Sequence, residues 1–288
     1  MNLYYFYFLK YFLTNILIHY KRKDIRIVLI DQQIYRFDFG ILKRIINSVI
    51  LKIYLKSFHR IVTTSNYLKR EIINLWGNPN AIIVIGAAGK KSLEVERSNK
   101  QRSGTVIRLL CVGHVKEMKG QLVLIKALRY LDDLNWILYL IGDVSSEDKY
   151  YKKILSKQIN TYNLSKRVVF RGRLEGASLI EEYRTADILI VPSLYEGYGM
   201  VVREGMSFGL PIIASKVGGI PEQIRDGIEG FLIPPDDPDA LALALKKLID
   251  NPDLRITMGK SGRKRLKELP TWDNVCERFY QAVQGLSQ

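Results

Sequence analysis

An α/β protein with parallel sheets is what this sequence predicts, and three observations carry the prediction. Short, wholly apolar runs such as Trp136 to Ile141 and Ile188 to Val191 recur along the chain, as strands buried on both faces require. Stretches with helical spacing alternate with these runs, so successive strands are joined by crossovers. The 288 residues are 47% hydrophobic and hold no sustained repeat and no Gly/Ser-rich or Pro-rich tract, which allows two domains with real cores.

The first twenty residues, MNLYYFYFLKYFLTNILIHY, are aromatic and apolar. Lys10 falls at their centre, where insertion scales place a penalty of about 2.5 to 3.5 kcal/mol, and no small-residue cleavage site follows. They read as a helix that covers a sheet or rests on a lipid surface. A strand is expected over Ile25 to Ile30, a helix over Phe39 to Lys56 and a second strand over Arg60 to Thr64. Ser65-Asn66 can cap a helix from Tyr67 to Trp76, which Gly77, Asn78 and Pro79 break before a third strand at Ala81 to Ile85. Residues 90–104, polar and aperiodic, form the expected domain linker.

A second domain opens at Thr105 with VIRLLCVGHVKEMKG. Strands follow at Trp136 to Ile141, closing on Gly142-Asp143, and at Val168 to Arg173, then a helix from Ala177 to Arg184. The run from Ile188 to Ser215 is a complete strand, loop, helix and strand. Pro192 ends the first strand and Ser193 to Tyr198 form the loop. Gly197 and Gly199 flank Tyr198 where the backbone turns tightly and exposes its amides, and Met200 to Phe208 continues with helical spacing until Gly209 and Pro211. Val217-Gly218-Gly219 leads into a short helix from Pro221, Asp226-Gly227 makes a turn, and Gly230 to Ile233 is the last strand. Asp236, Asp237 and Asp239 resemble a metal-binding D-x-D, but their context favours a helix start: Asp237 caps, Pro238 is the first helical residue and Ala240 to Ile249 follows. Trp272 to Val283 is a terminal helix.

The net charge of +15 is uneven. Residues 1–100 carry 17 Lys and Arg against 6 Asp and Glu, a net +11, and the remainder carries 27 against 23, a net +4. An anionic membrane surface or an acidic or phosphorylated acceptor suits such a half, as does a simple solubilising role. No helix-turn-helix, zinc-ligand or RNP-like pattern points to nucleic acid. Cys111 and Cys276 belong to no C-x-x-C pair, which fits a reducing, cytoplasmic compartment. His19, His59 and His114 lack metal-ligand spacing, so no zinc site is expected, and no motif calls for a resident cofactor.

A helix N-terminus opening at the carboxyl end of a buried parallel strand, with small residues around it, suits a diphosphate. Glu196 and Glu204, eight positions apart, can border the same crevice, and a carboxylate that accepts two hydrogen bonds matches a vicinal diol. Phosphate and sugar hydroxyls together describe a nucleotide sugar.

E-G-Y-G-M-V-V-R-E, followed by G-M-S-F-G-L-P-I-I-A-S-K-V-G-G-I-P-E, resembles the E-x7-E donor signature of the family 4 (group 1) retaining glycosyltransferases, enzymes of the GT-B fold. VIRLLCVGHVKEMKG resembles that family's V-G-R-L-x-x-x-K-G element: Lys119 keeps the lysine and Gly113 the turn, while His114 replaces an arginine, so phosphate affinity is expected to be lower or pH dependent. The strand ending at Gly142-Asp143 is similar to a family strand ending in G-D-G, with Val144 third. The I-V-T-T-S-N-Y-L-K-R-E-I run matches more loosely, and V-I-G-A-A-G at 84–89 replaces a V-I-P-N-G-V-D type segment.

The resemblance implies a GT-B-like protein with a Rossmann-type donor domain over 105–270, a partial N-terminal Rossmann-like acceptor-side domain over 1–95, and a terminal helix, 271–288, that packs back across both. The implied activity is metal-independent transfer of a sugar from a UDP- or GDP-linked donor to a hydroxyl of a glycan or lipid-linked acceptor, with retention. Glu196 and Lys119 are the implied catalytic residues. Donor binding falls to Gly113, His114, Lys119, Gly142, Arg173, Leu174, Glu196, Gly197, Tyr198, Gly199, Met200, Val201 and Glu204, with Glu204 on the ribose and Glu196 on the sugar ring. A rival expectation starts from the three strand candidates before the linker, where neither the family's glycine-rich loop nor its acceptor-side histidine is found. On that view the chain is a nucleotide-sugar-binding fragment or subunit, inactive until a partner chain supplies an acceptor half. A dinucleotide-dependent oxidoreductase is disfavoured, since no strand is followed by a full G-x-G-x-x-G.

Overall fold

A computed structural model describes residues 28–31, 60–78, 80, 82–87, 106–146 and 148–284. The helices expected over residues 1–20 and 39–56, and the linker at 90–104, lie outside them. In chain order the strands are β1 (Val28–Asp31), β2 (Arg60–Thr63), β3 (Ile82–Val84), β4 (Ile107–Val112), β5 (Trp136–Ile141), β6 (Val168–Gly172), β7 (Ile188–Val191), β8 (Ile212–Ser215) and β9 (Gly230–Ile233). The α-helices are α1 (Asn66–Trp76), α2 (Gln121–Leu128), α3 (Lys149–Thr161), α4 (Gly176–Thr185), α5 (Met200–Ser207), α6 (Pro238–Asp250), α7 (Pro252–Glu268) and α8 (Trp272–Gln284). The chain divides into two compact units, Met1–Ala87 with Pro270–Gln288, and Ala88–Leu269.

In the first unit, β1, β2 and β3 form a parallel sheet in that order. Ser65 starts α1 by accepting the Leu68 amide at 3.1 Å, and Gly77, in the left-handed conformation, ends it. Leu68 and Ile72, one turn apart, are fully buried together with Ile61 and Val62 of β2. The terminal helix α8 belongs to this unit: Arg60 donates to the carbonyl of Ala282 at 2.6 Å.

The second unit is a six-stranded, wholly parallel sheet in the order β6-β5-β4-β7-β8-β9. That is the Rossmann order, in which two three-stranded halves run outward from β4 and β7. Leu109, Leu138, Ile188 and Ile190 pack on one face with residues of α2, α3 and α6, while Leu110, Leu189, Val191 and Ile212 pack on the other with residues of α4 and α5. Side chains alternate between two covered faces, which is why the strand sequences are uninterrupted apolar runs. Between the halves β4 and β7 pair at Leu109↔Ile188 and Leu110↔Leu189. Past those pairs Cys111, Val112, Ile190 and Val191 line a cleft.

One local outcome differs from the sequence expectation. The helix expected from Pro221 is a single 3-10 turn, Ile220–Glu222. Arg265 of α7 takes the carbonyls of Glu222 and Gln223 at 3.1 and 3.0 Å, and the Glu229 carboxylate takes the Arg225 amide at 2.7 Å, so the groups that would extend a helix are used elsewhere. Helix α7 carries no strong apolar stripe, because it docks through small residues: a Cβ on Gly259 would lie 2.1 Å from the Gly209 carbonyl oxygen. Asp237 does cap α6, accepting the Ala240 amide at 2.8 Å, with Pro238 the first helical residue. Among the described residues no helix is long and apolar enough to cross a membrane.

Candidate functional site

The site lies where the two halves of the six-stranded sheet part, at the carboxyl ends of β4 and β7. One wall is the loop from Pro192 to Gly199. Gly199 adopts a φ of 89° and leads into α5 with no side-chain cap, which leaves the first amides of that helix for an incoming anion. The loop is braced from behind. Gln223, fully buried, donates its amide to the carbonyl oxygens of Tyr198 and Gly199. Gly218 adopts a φ of 57° against the loop backbone, and a Cβ there would stand 1.5 Å from the Glu196 carbonyl oxygen. The Tyr198 ring is itself buried, its hydroxyl accepting from Arg203 at 3.3 Å, so this residue offers the site its backbone.

The other wall follows β4. Gly113 turns the chain, and a 3-10 turn, Glu117–Lys119, leads through Gly120 into α2. The Leu194 amide donates to the Met118 carbonyl at 2.9 Å, so turn and loop touch backbone to backbone. This contact carries Lys119 to Glu196, Nζ to Oε2 at 2.6 Å, and Ser193 donates to the same oxygen at 3.2 Å. Glu196 is 7% exposed, and a carboxylate at that depth needs such partners. Beneath the pair, burial pushes the Cys111 thiol up to about 12, against the smaller opposing effect of the Lys119 charge, so it stands as a neutral, inert thiol.

Gln121, the first residue of α2, donates to the His114 carbonyl at 2.9 Å and fixes the turn after β4, while its Oε1 accepts nothing among the described residues. The His114 side chain is exposed. Gly142 ends β5 against the same turn, where a Cβ would meet the Gly113 carbonyl oxygen at 1.9 Å. Thus the structure gathers Gly113, Lys119, Glu196, Gly197, Tyr198, Gly199, Met200 and Val201 at the junction of β4 and β7, with Gly142 supporting them. Arg173 stands at the end of β6, exposed and bonded to Glu175 at 2.8 Å, and Leu174 packs part-buried against the α4 and α5 face. Glu204 lies one turn beyond Val201 on α5, half-buried, and accepts from Tyr183 Oη at 2.6 Å.

Sequence reasoning passed over Gln121, Ser193, Gln223 and Tyr183. None sits in a chemically distinctive pattern, and their partners lie 3 to 25 positions away along the chain. The one available signal is a polar residue at a position where the helix or strand pattern calls for burial.

The family described as Glycosyl transferases group 1 matches residues 94–265. An uncharacterized glycosyltransferase of Methanocaldococcus jannaschii is 33% identical over 228 residues, which make up 79% of this chain and 60% of that protein. The chain therefore spans about three-fifths of the length of the first curated relatives it matches. Sucrose-phosphate synthase from Thermosynechococcus elongatus is similar in structure, with a TM-score of 0.81 at 24% identity over 96% of this chain and 72% of that one. Anabaena HepE, solved in complex with UDP-glucose, gives 0.76 at 19% identity over 96% and 76%. These likenesses show a shared fold, the α/β GT-B type with Rossmann-like parallel sheets. Both strand ends that meet at the cleft, with Lys119, Glu196 and Glu204, fall inside the matched stretch, and the chain belongs to the group 1 glycosyl transferases.

Proposed function

We propose that this chain binds a nucleoside-diphosphate sugar at the junction of β4 and β7 and transfers the sugar to an acceptor hydroxyl with retention and without a metal ion. The observation that carries this reading is the Lys119–Glu196 pair beside the uncapped start of α5. A bound diphosphate takes Lys119 and the α5 amides, which stabilise the departing negative charge. Glu196, released from the lysine, accepts a sugar hydroxyl, and Glu204 accepts the ribose. Lysine and helix terminus supply the positive charge at the leaving group, so the reading needs no metal. The similarity to a protein solved with UDP-glucose supports a nucleotide-sugar donor.

Titration calorimetry with UDP and GDP, alone and on the Glu204→Ala and Glu196→Ala chains, tests the site. Glu204→Ala is expected to weaken the nucleotide more, since a ribose contact exists with or without the sugar; equal binding by both variants and the parent removes the site. Transfer in the presence of EDTA, with the product's anomeric configuration read by NMR, tests the chemistry.

A second reading is favoured by the length comparison: these 288 residues bind donor but transfer slowly until further acceptor-side residues or a partner chain are supplied. Holding the acceptor hydroxyl against the anomeric carbon is worth several kcal/mol of barrier, roughly, and a single wall forfeits it. The net +11 of residues 1–100 supports docking from the cytoplasmic side on an anionic membrane that presents a lipid-linked acceptor. Sedimentation with anionic vesicles checks this, with binding that falls steeply as salt rises.

A further inference from the structure

We propose that Tyr183 is the positioning residue of the ribose subsite: its phenol holds one oxygen of Glu204 and leaves the other to a ribose hydroxyl. This inference rests on the assignment of Glu204 to the ribose. Tyr183 is 2% exposed, its ring stacked on Phe208 at 5.2 Å between centroids and 7° between planes. It packs in the same cluster as Leu189, Val202 and Met206, so the ring cannot swing. Its hydroxyl donates to Glu204 Oε2 at 2.6 Å, and among the described residues nothing donates to Oε1.

Helix α4, which carries Tyr183, is pinned to the sheet by the neighbouring residue. The buried Glu182 carboxylate accepts from Arg108 of β4 at 3.2 Å and from Arg171 of β6 at 2.8 Å. The phenol is thus a fixed post referenced to two strands of the half-sheet beside the cleft. Glu204, a flexible side chain on a different helix, borrows that fixity. Burial, with Glu204 nearby, pushes the phenol well above its ordinary range, so it stays a donor wherever the protein is folded. A carboxylate held by one oxygen has its plane set before the ligand arrives, and the ligand then orders fewer side-chain torsions.

The test uses the full chain and compares UDP and GDP with their 2′-deoxy forms, by calorimetry, on the parent, Tyr183→Phe, Glu204→Gln and the double variant. The parent should prefer the ribonucleotide by at least about tenfold, the scale of a hydrogen bond to a charged group. Tyr183→Phe should lower ribonucleotide affinity about tenfold, leave the 2′-deoxy form within about twofold, and add nothing to Glu204→Gln in the double variant. Thermal melts confirm that the variants fold. Equal losses on both sugars would mean that Tyr183 only supports packing, and an unchanged ribonucleotide affinity would remove its role; either result overturns the proposal. A parent chain that binds neither UDP nor GDP overturns the nucleotide-sugar assignment itself, and this inference with it.

Discussion

Two loops at the carboxyl end of the same sheet are built in opposite ways. The loop after β7 is locked: Glu196 and Tyr198 are 7% and 8% exposed, Gly218 leaves no room for a side chain, and Gln223 holds two consecutive carbonyls. The loop after β6 is open. Gly172, which ends β6, then Arg173, Glu175 and Gly176, which starts α4, are all exposed, and a Cβ on Gly172 or Gly176 would meet nothing within 4 Å. On the proposed donor-binding reading, a fixed loop pre-orders the groups that meet phosphate and sugar, which lowers the ordering needed on binding. An open loop can change its side chains without disturbing the core, and on the proposed donor-binding reading it is where base preference can vary.

The sharpest way to break this contrast is a matched pair of glycine substitutions. Gly218→Ala combines a left-handed backbone with a collision against the Glu196 carbonyl and should cost about 3 kcal/mol or more. Gly172→Ala has φ 69° but open space, and should cost about 1 kcal/mol. Urea denaturation of the two variants measures the difference. Similar losses would show that the β7 loop is no more tightly held than the β6 loop.

The same contrast should appear in binding. Lys119→Ala removes a charged donor from the locked wall and leaves Glu196 without its cation, so UDP or GDP affinity should fall by about 2 kcal/mol, near thirtyfold. Arg173→Ala, on the open loop, should change diphosphate affinity by no more than about twofold while shifting the UDP-to-GDP ratio, since exposed ion pairs contribute little. Calorimetry with both nucleotides reads the two effects separately.

Stability against pH probes the core beneath the locked wall. Burial raises Cys111 from an ordinary 9.0 to about 12, and Tyr151 from 10.0 to about 12. Both are neutral in the folded chain, so their contribution is complete below about pH 9. It is lost as pH climbs from 9 to 12, because the unfolded chain releases those protons first. Urea midpoints at pH 8, 10 and 11 should fall in that order, and Cys111→Ala should flatten the decline. Exposed Cys276 should react at once with a thiol reagent, and Cys111 only on unfolding.

The smallest effect expected is at the rim. His114→Arg replaces an exposed imidazole with a permanently charged fork beside the turn after β4 and should tighten diphosphate binding by a few-fold, roughly, at moderate salt. No change in affinity would place the His114 side chain away from the phosphates.

Sequence alone determined the parallel α/β architecture, because strands covered on both faces must be continuously apolar and helices must show their period. Ser65, Gly77, Asp237 and Pro238 marked their helix ends for equally local reasons. It also supplied Glu196, Glu204 and the glycines around them, whose chemistry is tied to short spacings, and Lys119 through the family resemblance of VIRLLCVGHVKEMKG. Only the tertiary structure decided which of these meet. Lys119 and Glu196 are 77 positions apart and become partners because the turn after β4 docks on the loop after β7. Glu204 is joined to Tyr183, on another helix, by a single hydrogen bond. Gln121 and Gln223 act through backbone carbonyls, so nothing in their own sequence context announces them. The physical reason is the range of the forces involved: backbone preference and hydrophobic period act between near neighbours, whereas charge pairing and steric exclusion depend on which strands the folded sheet sets side by side.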